Sequence, residues 1–183
     1  MTTFNLQLTS DEEQISVLQL TDSHLFAEES GTLLGVRTAD SFTAVLESII
    51  NQDIHFDFVV VTGDISQDYS VSSYQRFAQY IATLKKPEVY SVPHGSVERD
   101  QLAFLKKQCE LYPHLNTVVL VHHLPQLVNS SWLDTQTMHN SDEFNSFISN
   151  FSNIKLVLSG HVHQEYDQFF NGVRYIATPS TSI

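Results

Sequence analysis

Apolar residues recur along this chain with two periods, and their alternation predicts an α/β fold. Short apolar-rich runs from Ile15 to Thr21, Phe56 to Val61, Glu88 to Val92, Thr117 to Val121 and Ile154 to Leu158 read as strands. The run Phe56 to Val61 is so nearly unbroken that both of its faces must be buried, as in a parallel or mixed sheet covered by helices. Between the strands, apolar positions fall at helical spacing. They are Phe42, Val45, Leu46, Ile49 and Ile50; then Tyr74, Phe77, Ala78 and Ile81; then Leu102, Leu105 and Cys109; and last Phe144, Ile148 and Phe151. Asp40 or Ser41 is expected to cap the first helix, Ser72 or Ser73 the second, and Ser141 opens the last. Lys85, Lys86 and Pro87 end the second helix, as cations and a proline should. Asn171-Gly172 joins the runs Gln164 to Phe170 and Val173 to Thr178, a strong hairpin signal. With 183 residues and no internal repeat or low-complexity linker, residues 1–183 are expected to form one domain.

The polar residues that matter stand where these strands stop. Asp22 and His24 follow the first strand, Gly63-Asp64 the second, His122-His123 the fourth, and Gly160-His161-Val162-His163 the fifth. Ligands of open α/β sheets bind at the carboxyl ends of strands, so groups scattered in sequence can converge there. Five of the nine histidines lie in these clusters, which favours a metal site over a scatter of exposed loop residues. Two imidazoles at i and i+2 can point the same way only if the chain leaves the pleat, and Gly160 is expected to permit that. Carboxylate and imidazole without thiolate disfavour a closed structural zinc site and favour catalytic metal ions with open positions.

Charge narrows the substrate. With 9 Lys+Arg against 21 Asp+Glu the formal net charge is -12, a surface that repels a nucleic-acid backbone and leaves a small anion drawn to a metal. Met1 to Ser10 carries no basic leader and no run reaches the roughly 18 apolar residues of a membrane span, so no membrane partner is expected. Cys109 is the single cysteine, which fits a reducing compartment and points to the cytoplasm.

In order, Asp22-X-His24, Gly63-Asp64, the histidine after an apolar strand and Gly160-His161-X-His163 resemble the motifs of the calcineurin-like metallophosphoesterases. Leu20 to Phe26, Thr62 to Asp68, Trp132-Leu133-Asp134, and Asn171 to Arg174 through Ala177 to Thr181 are similar to the bacterial cyclic AMP phosphodiesterases of that family. The resemblance spans nearly the whole chain. It implies two stacked mixed β-sheets flanked by helices, a four-layer αββα arrangement that is incomplete here. It also implies two divalent ions, of iron, manganese or zinc, and cyclic AMP or a similar small phosphodiester as substrate. Carried over by motif, Asp22, His24 and His163 would bind one ion, His122 and His161 the other, and Asp64 would bridge them. His24, Asp64 and His163 would be the residues on which catalysis depends. His122 comes first after its apolar run and is favoured over His123, which stays open as the alternative. Paired divalent ions activate water at neutral pH and neutralise phosphoryl oxygens during in-line attack.

One family motif is absent. A Gly-Asn-His-Asp or Glu should follow Val89-Tyr90-Ser91, yet the chain passes directly to Val92-Pro93-His94-Gly95, text that the family carries several tens of residues later. The pattern is that of one internal deletion. It removes an asparagine ligand of the second metal and a phosphate-contacting histidine, a role His94 does not take, because it reads as a turn residue. Family members also continue with further sheet beyond the position of Ile183. The expected function is a metal-dependent phosphodiesterase with a weakened second site; the alternative is a partial family member that binds metal without catalysis.

Overall fold

A computed structural model describes residues 14–91 and 95–183. Met1 to Ser10, the strand end at Val92 and the turn residue His94 therefore lie outside the described residues. Those described divide into two compact units: the chain up to Ser91 together with Ser180–Ile183, and the chain from Gly95 to Pro179.

The first unit runs β1 (Val17–Leu20), β2 (Thr32–Leu33), β3 (Val36–Arg37), α1 (Thr38–Asn51), β4 (Phe58–Val61), α2 (Val71–Ile81), a 3-10 turn at Ala82–Leu84, and β5 (Glu88–Tyr90). Its main sheet has the order β1-β4-β5 with both pairings parallel, Leu20 opposite Val61 and Val61 opposite Tyr90. The central strand β4 buries Val59, Val60 and Val61, as its continuous apolar run requires. Phe42, Leu46 and Ile49 of α1 pack with Phe77 and Ile81 of α2 against Leu20, Val59 and Val61, and the rings of Phe42 and Phe77 stack at 5.3 Å. The ribbon of β2 and β3, which has no signal in the apolar pattern, feeds directly into α1.

Both expected caps are displaced. Helix α1 starts at Thr38, so Asp40 and Ser41 lie inside it, and Asp40 instead pairs with Arg37 Nη1 at 3.0 Å in the first turn. A carboxylate there complements the helix dipole without capping it. In α2 the cap is Ser70, whose Oγ accepts from the Ser73 backbone N–H at 3.1 Å. The buried stripe is accordingly Ser73, Phe77 and Ile81, while Tyr74 and Ala78 face water. Ile50 of α1 is likewise half exposed.

Asp68 holds the loop before β2. Its carboxylate accepts from the backbone N–H of Ala27 at 2.7 Å and of Ser70 at 3.1 Å, and from Ser66 Oγ at 3.3 Å. The Ala27 N–H above all, then Ser70, holds the Asp68 carboxyl well below the usual carboxylate range. A lowered folded-state pKa stabilises the fold fully above the unfolded value of about 4 and less as pH falls through the folded one. Asp68→Asn should therefore flatten the acid limb of stability. The check is the urea midpoint at pH 7 and pH 3, and an unchanged pH dependence in the variant would contradict it.

The second unit runs α3 (Arg99–Leu111), β6 (Thr117–Leu120), a 3-10 turn at Leu133–Gln136, α4 (Ser141–Ile148), β7 (Ile154–Ser159), β8 (Tyr166–Phe170) and β9 (Val173–Ala177). The sheet order is β6-β7-β9-β8; the first two pairings are parallel and β8 is antiparallel to β9, which makes this sheet mixed. Asn171 and Gly172 take φ of 50° and 82°, the two left-handed positions of a type I′ hairpin turn. Leu102 and Cys109 of α3 and Phe144 and Ile148 of α4 share one core with Val157 and Tyr175. Cys109 is buried and free, and burial pushes its thiol pKa up. No helix among the described residues is long and apolar enough to cross a membrane.

Candidate metal centre

In the first unit the loops after β1 and β4 stay zipped once the strands have stopped. Asp22 N donates to Gly63 O at 3.0 Å, His24 N to Asp64 O at 2.9 Å and Leu25 N to Ile65 O at 2.9 Å. Asp22, His24 and Asp64 are thereby held on adjacent backbone. Asp22 has no exposed surface, its Oδ2 accepts from Thr21 Oγ1, and its Oδ1 lies 3.8 Å from His24 Nε2. A carboxylate so buried is costly without hydrogen bonds and a cation, and the neighbouring imidazole completes a donor pair suited to a metal ion.

The segment Ser180–Ile183 returns to this turn. Thr181 donates from N at 3.0 Å and from Oγ1 at 2.7 Å to Thr21 O, and Ser180 Oγ and Ser182 Oγ donate to Asp22 O at 2.8 and 2.9 Å. Three hydroxyls therefore fix the carbonyls that flank the Asp22 side chain. Their role was not legible in the sequence, where the signals are a run of hydroxyl residues after Pro179 and the resemblance of Ala177 to Thr181 to family text.

In the second unit the parallel strands β6 and β7 deliver the histidines. Val121 N donates to Leu158 O and Gly160 N to His122 O, both at 3.0 Å, which puts the chain at His122 beside the turn at Gly160. A bend at His122 and His123 takes both out of the pleat. The rings of His122 and His123 meet edge to face at 5.0 Å, those of His122 and His161 at 5.3 Å, and those of His123 and His161 lie 4.0 Å apart at 32°. One nitrogen from each of the three lies within 4.8 Å of the others. His122 is buried, and His123, His161 and His163 are partly so.

The departure from the strand falls on the histidines and not on Gly160. Val162 N donates to Gly160 O at 2.8 Å around His161, whose φ is 69°, a strained three-residue turn, and His163 follows with φ 52°. In the first unit Asp22, His24 and Asp64 take φ of 52°, 43° and 44°, and Gly63 supplies 111°, where only glycine is at ease. Eleven described non-glycine residues have positive φ, and five of them are Asp22, His24, Asp64, His161 and His163. Each costs on the order of 1 kcal/mol, and strain of this kind gathers where function requires a fixed geometry.

Strand-end carboxylates and imidazoles set in strained turns, in two α/β units, make this a protein of the metal-binding α/β class. The crystal structure of a dimetal phosphatase from Danio rerio superposes on 92% of this chain and 88% of its own with a TM-score of 0.70 at 11% identity, a likeness of fold. The 3',5'-cyclic adenosine monophosphate phosphodiesterase CpdA of Vibrio vulnificus is 37% identical over 217 residues, covering 96% of this chain and 79% of the relative. CpdA of Escherichia coli is 34% identical over 214 residues, covering 94% and 78%. No protein-family model matches the chain. The chain belongs to the family of these 3',5'-cyclic adenosine monophosphate phosphodiesterases. Both matched spans are longer than the 183 residues of this chain, so each relative carries residues with no counterpart here, in keeping with an internal deletion.

Proposed function

We propose that the chain hydrolyses cyclic AMP, or a similar small cyclic nucleotide, with two divalent ions of iron, manganese or zinc. Following the order of the family motifs, Asp22, His24 and His163 would hold one ion, His122 and His161 the other, and Asp64 would be the carboxylate common to both. The observation that carries this reading is the concentration of left-handed backbone on five of those six residues, in a chain whose relatives are named as cyclic AMP phosphodiesterases. Divalent ions in such a donor set supply positive charge to phosphoryl oxygens and lower the pKa of water. The residues themselves fix where that charge stands: Ser180, Thr181 and Ser182 hold the Asp22 turn, and the β7 turn holds His161 and His163. A net charge of -12 leaves the centre as the place where an anion is welcome. Metal binding without catalysis gains no support from relatives that carry an enzyme's name.

The test is conversion of cyclic AMP to AMP by the chelator-treated chain, with each metal restored in turn. Hydrolysis should return with metal and fall at least about a hundredfold in His163→Ala, a loss of roughly 2.7 kcal/mol in transition-state stabilisation. Turnover indifferent to chelator, or equal in His163→Ala, would refute the proposal.

A further inference from the structure

We infer that His123 is a metal ligand, so that His122, His123 and His161 form a three-imidazole site for one divalent ion within the second unit. The inference deepens the function proposed above and rests on it, since it concerns the metal that His122 and His161 serve.

Two consecutive residues of a strand point to opposite faces, so His122 and His123 could not both reach one ion if β6 continued through them. Strand β6 stops at Leu120, and the bend at His122 and His123 brings their rings to 5.0 Å. His161 approaches from β7, tied to them through Gly160 N and His122 O, and it stands nearer to His123 than to His122, 4.0 Å against 5.3 Å between ring centres. Nitrogens within 4.8 Å of one another need only small side-chain rotations to close on an ion that takes imidazole at about 2.0–2.1 Å. The family's asparagine ligand has no counterpart in this sequence, and position 123 offers a third imidazole in its stead. Neutral imidazoles without thiolate are donors of the kind that catalytic ions use, unlike the cysteine-rich sets of sealed structural zinc.

Cobalt(II) titration of the metal-free full chain tests this, read by visible d–d absorption and by equilibrium dialysis. The wild-type chain should bind two ions. His123→Ala should weaken one of them about a hundredfold or more, at least the loss seen when groups outside the ligand shell are removed, and should alter the band of that ion alone. Asp22→Asn should weaken the other ion and leave the His123-dependent band in place. His123→Gln, which keeps bulk and polarity, guards against misfolding and should behave as His123→Ala does, with an unchanged circular dichroism spectrum. If both His123 variants titrate like the wild type, His123 is not a ligand, although the proposed function stands. A wild-type chain that binds no cobalt overturns both.

Discussion

Inserting a segment that carries Gly-Asn-His-Asp between Tyr90 and Val92 should raise metal-dependent hydrolysis of cyclic AMP at least about a hundredfold. The insertion point is chosen by the sheet: β5 pairs in parallel with β4, and Ser91 N still donates to Val61 O at 2.8 Å, so the chain leaves the sheet at the carboxyl end of its third parallel strand. At that same end β1 and β4 release Asp22, His24 and Asp64. On the proposed function a restored asparagine would add a metal ligand and the histidine a phosphate contact, and each 1.36 kcal/mol they return is worth tenfold in rate. A segment of equal length with Gly-Ala-Ala-Asp should give no gain. His163→Ala in the inserted chain should remove the gain again, which also excludes a contaminating host phosphodiesterase. Equal turnover by the present chain and the inserted one would show that the deletion is harmless.

What the sequence made legible was set by how local each signal is. The strands β4 and β7 could be read because buried parallel strands require nearly unbroken apolar runs, and the hairpin because Asn171-Gly172 tolerates two positive φ angles. Helix starts were less legible. Ser70, Ser72 and Ser73 crowd the start of α2, and only the fold decides that Ser70 turns its oxygen to the Ser73 N–H while Ser73 itself joins the buried stripe. At α1 the cap position falls to Arg37, which has no acceptor to offer, because β3 runs straight into the helix. The candidate ligands were found from their place at strand ends. Their left-handed backbone was not, because aspartate and histidine favour it only weakly, and glycine drew the attention at position 160. The hydroxyls of Ser180, Thr181 and Ser182 act across about 160 residues of chain, a separation no local pattern reports.

Phe144→Ala should cost the second unit about 3–5 kcal/mol, the range for a fully buried aromatic replaced by alanine. Phe144 has no exposed surface and lies in α4 among Ile148, Val157 and Tyr175, and Tyr175 OH in turn donates to Asn145 Oδ1 at 2.8 Å. Removing the ring leaves a void against β7 and β9 that packed β-strands fill poorly. A loss of this size is a large share of the 5–15 kcal/mol typical of a folded chain, and at about 2–4 °C per kcal/mol it lowers the melting temperature by roughly 6–20 °C. Melting should be followed by far-UV circular dichroism and by the fluorescence of Trp132, the single tryptophan, which lies in this unit. Chelator must be present, because bound metal would stabilise the folded state by mass action and mask part of the loss. Phe169→Ala is the control: its side chain on β8 is 73% exposed, so its change should stay within about 0.5 kcal/mol. Because β7 runs from this core into the turn at His161 and His163, Phe144→Ala should weaken cobalt binding by His122, His123 and His161 as well, without touching any of them. A melting temperature within a degree of the control would mean that α4 does not anchor β7, and that the β7 turn holds its histidines by backbone hydrogen bonds alone.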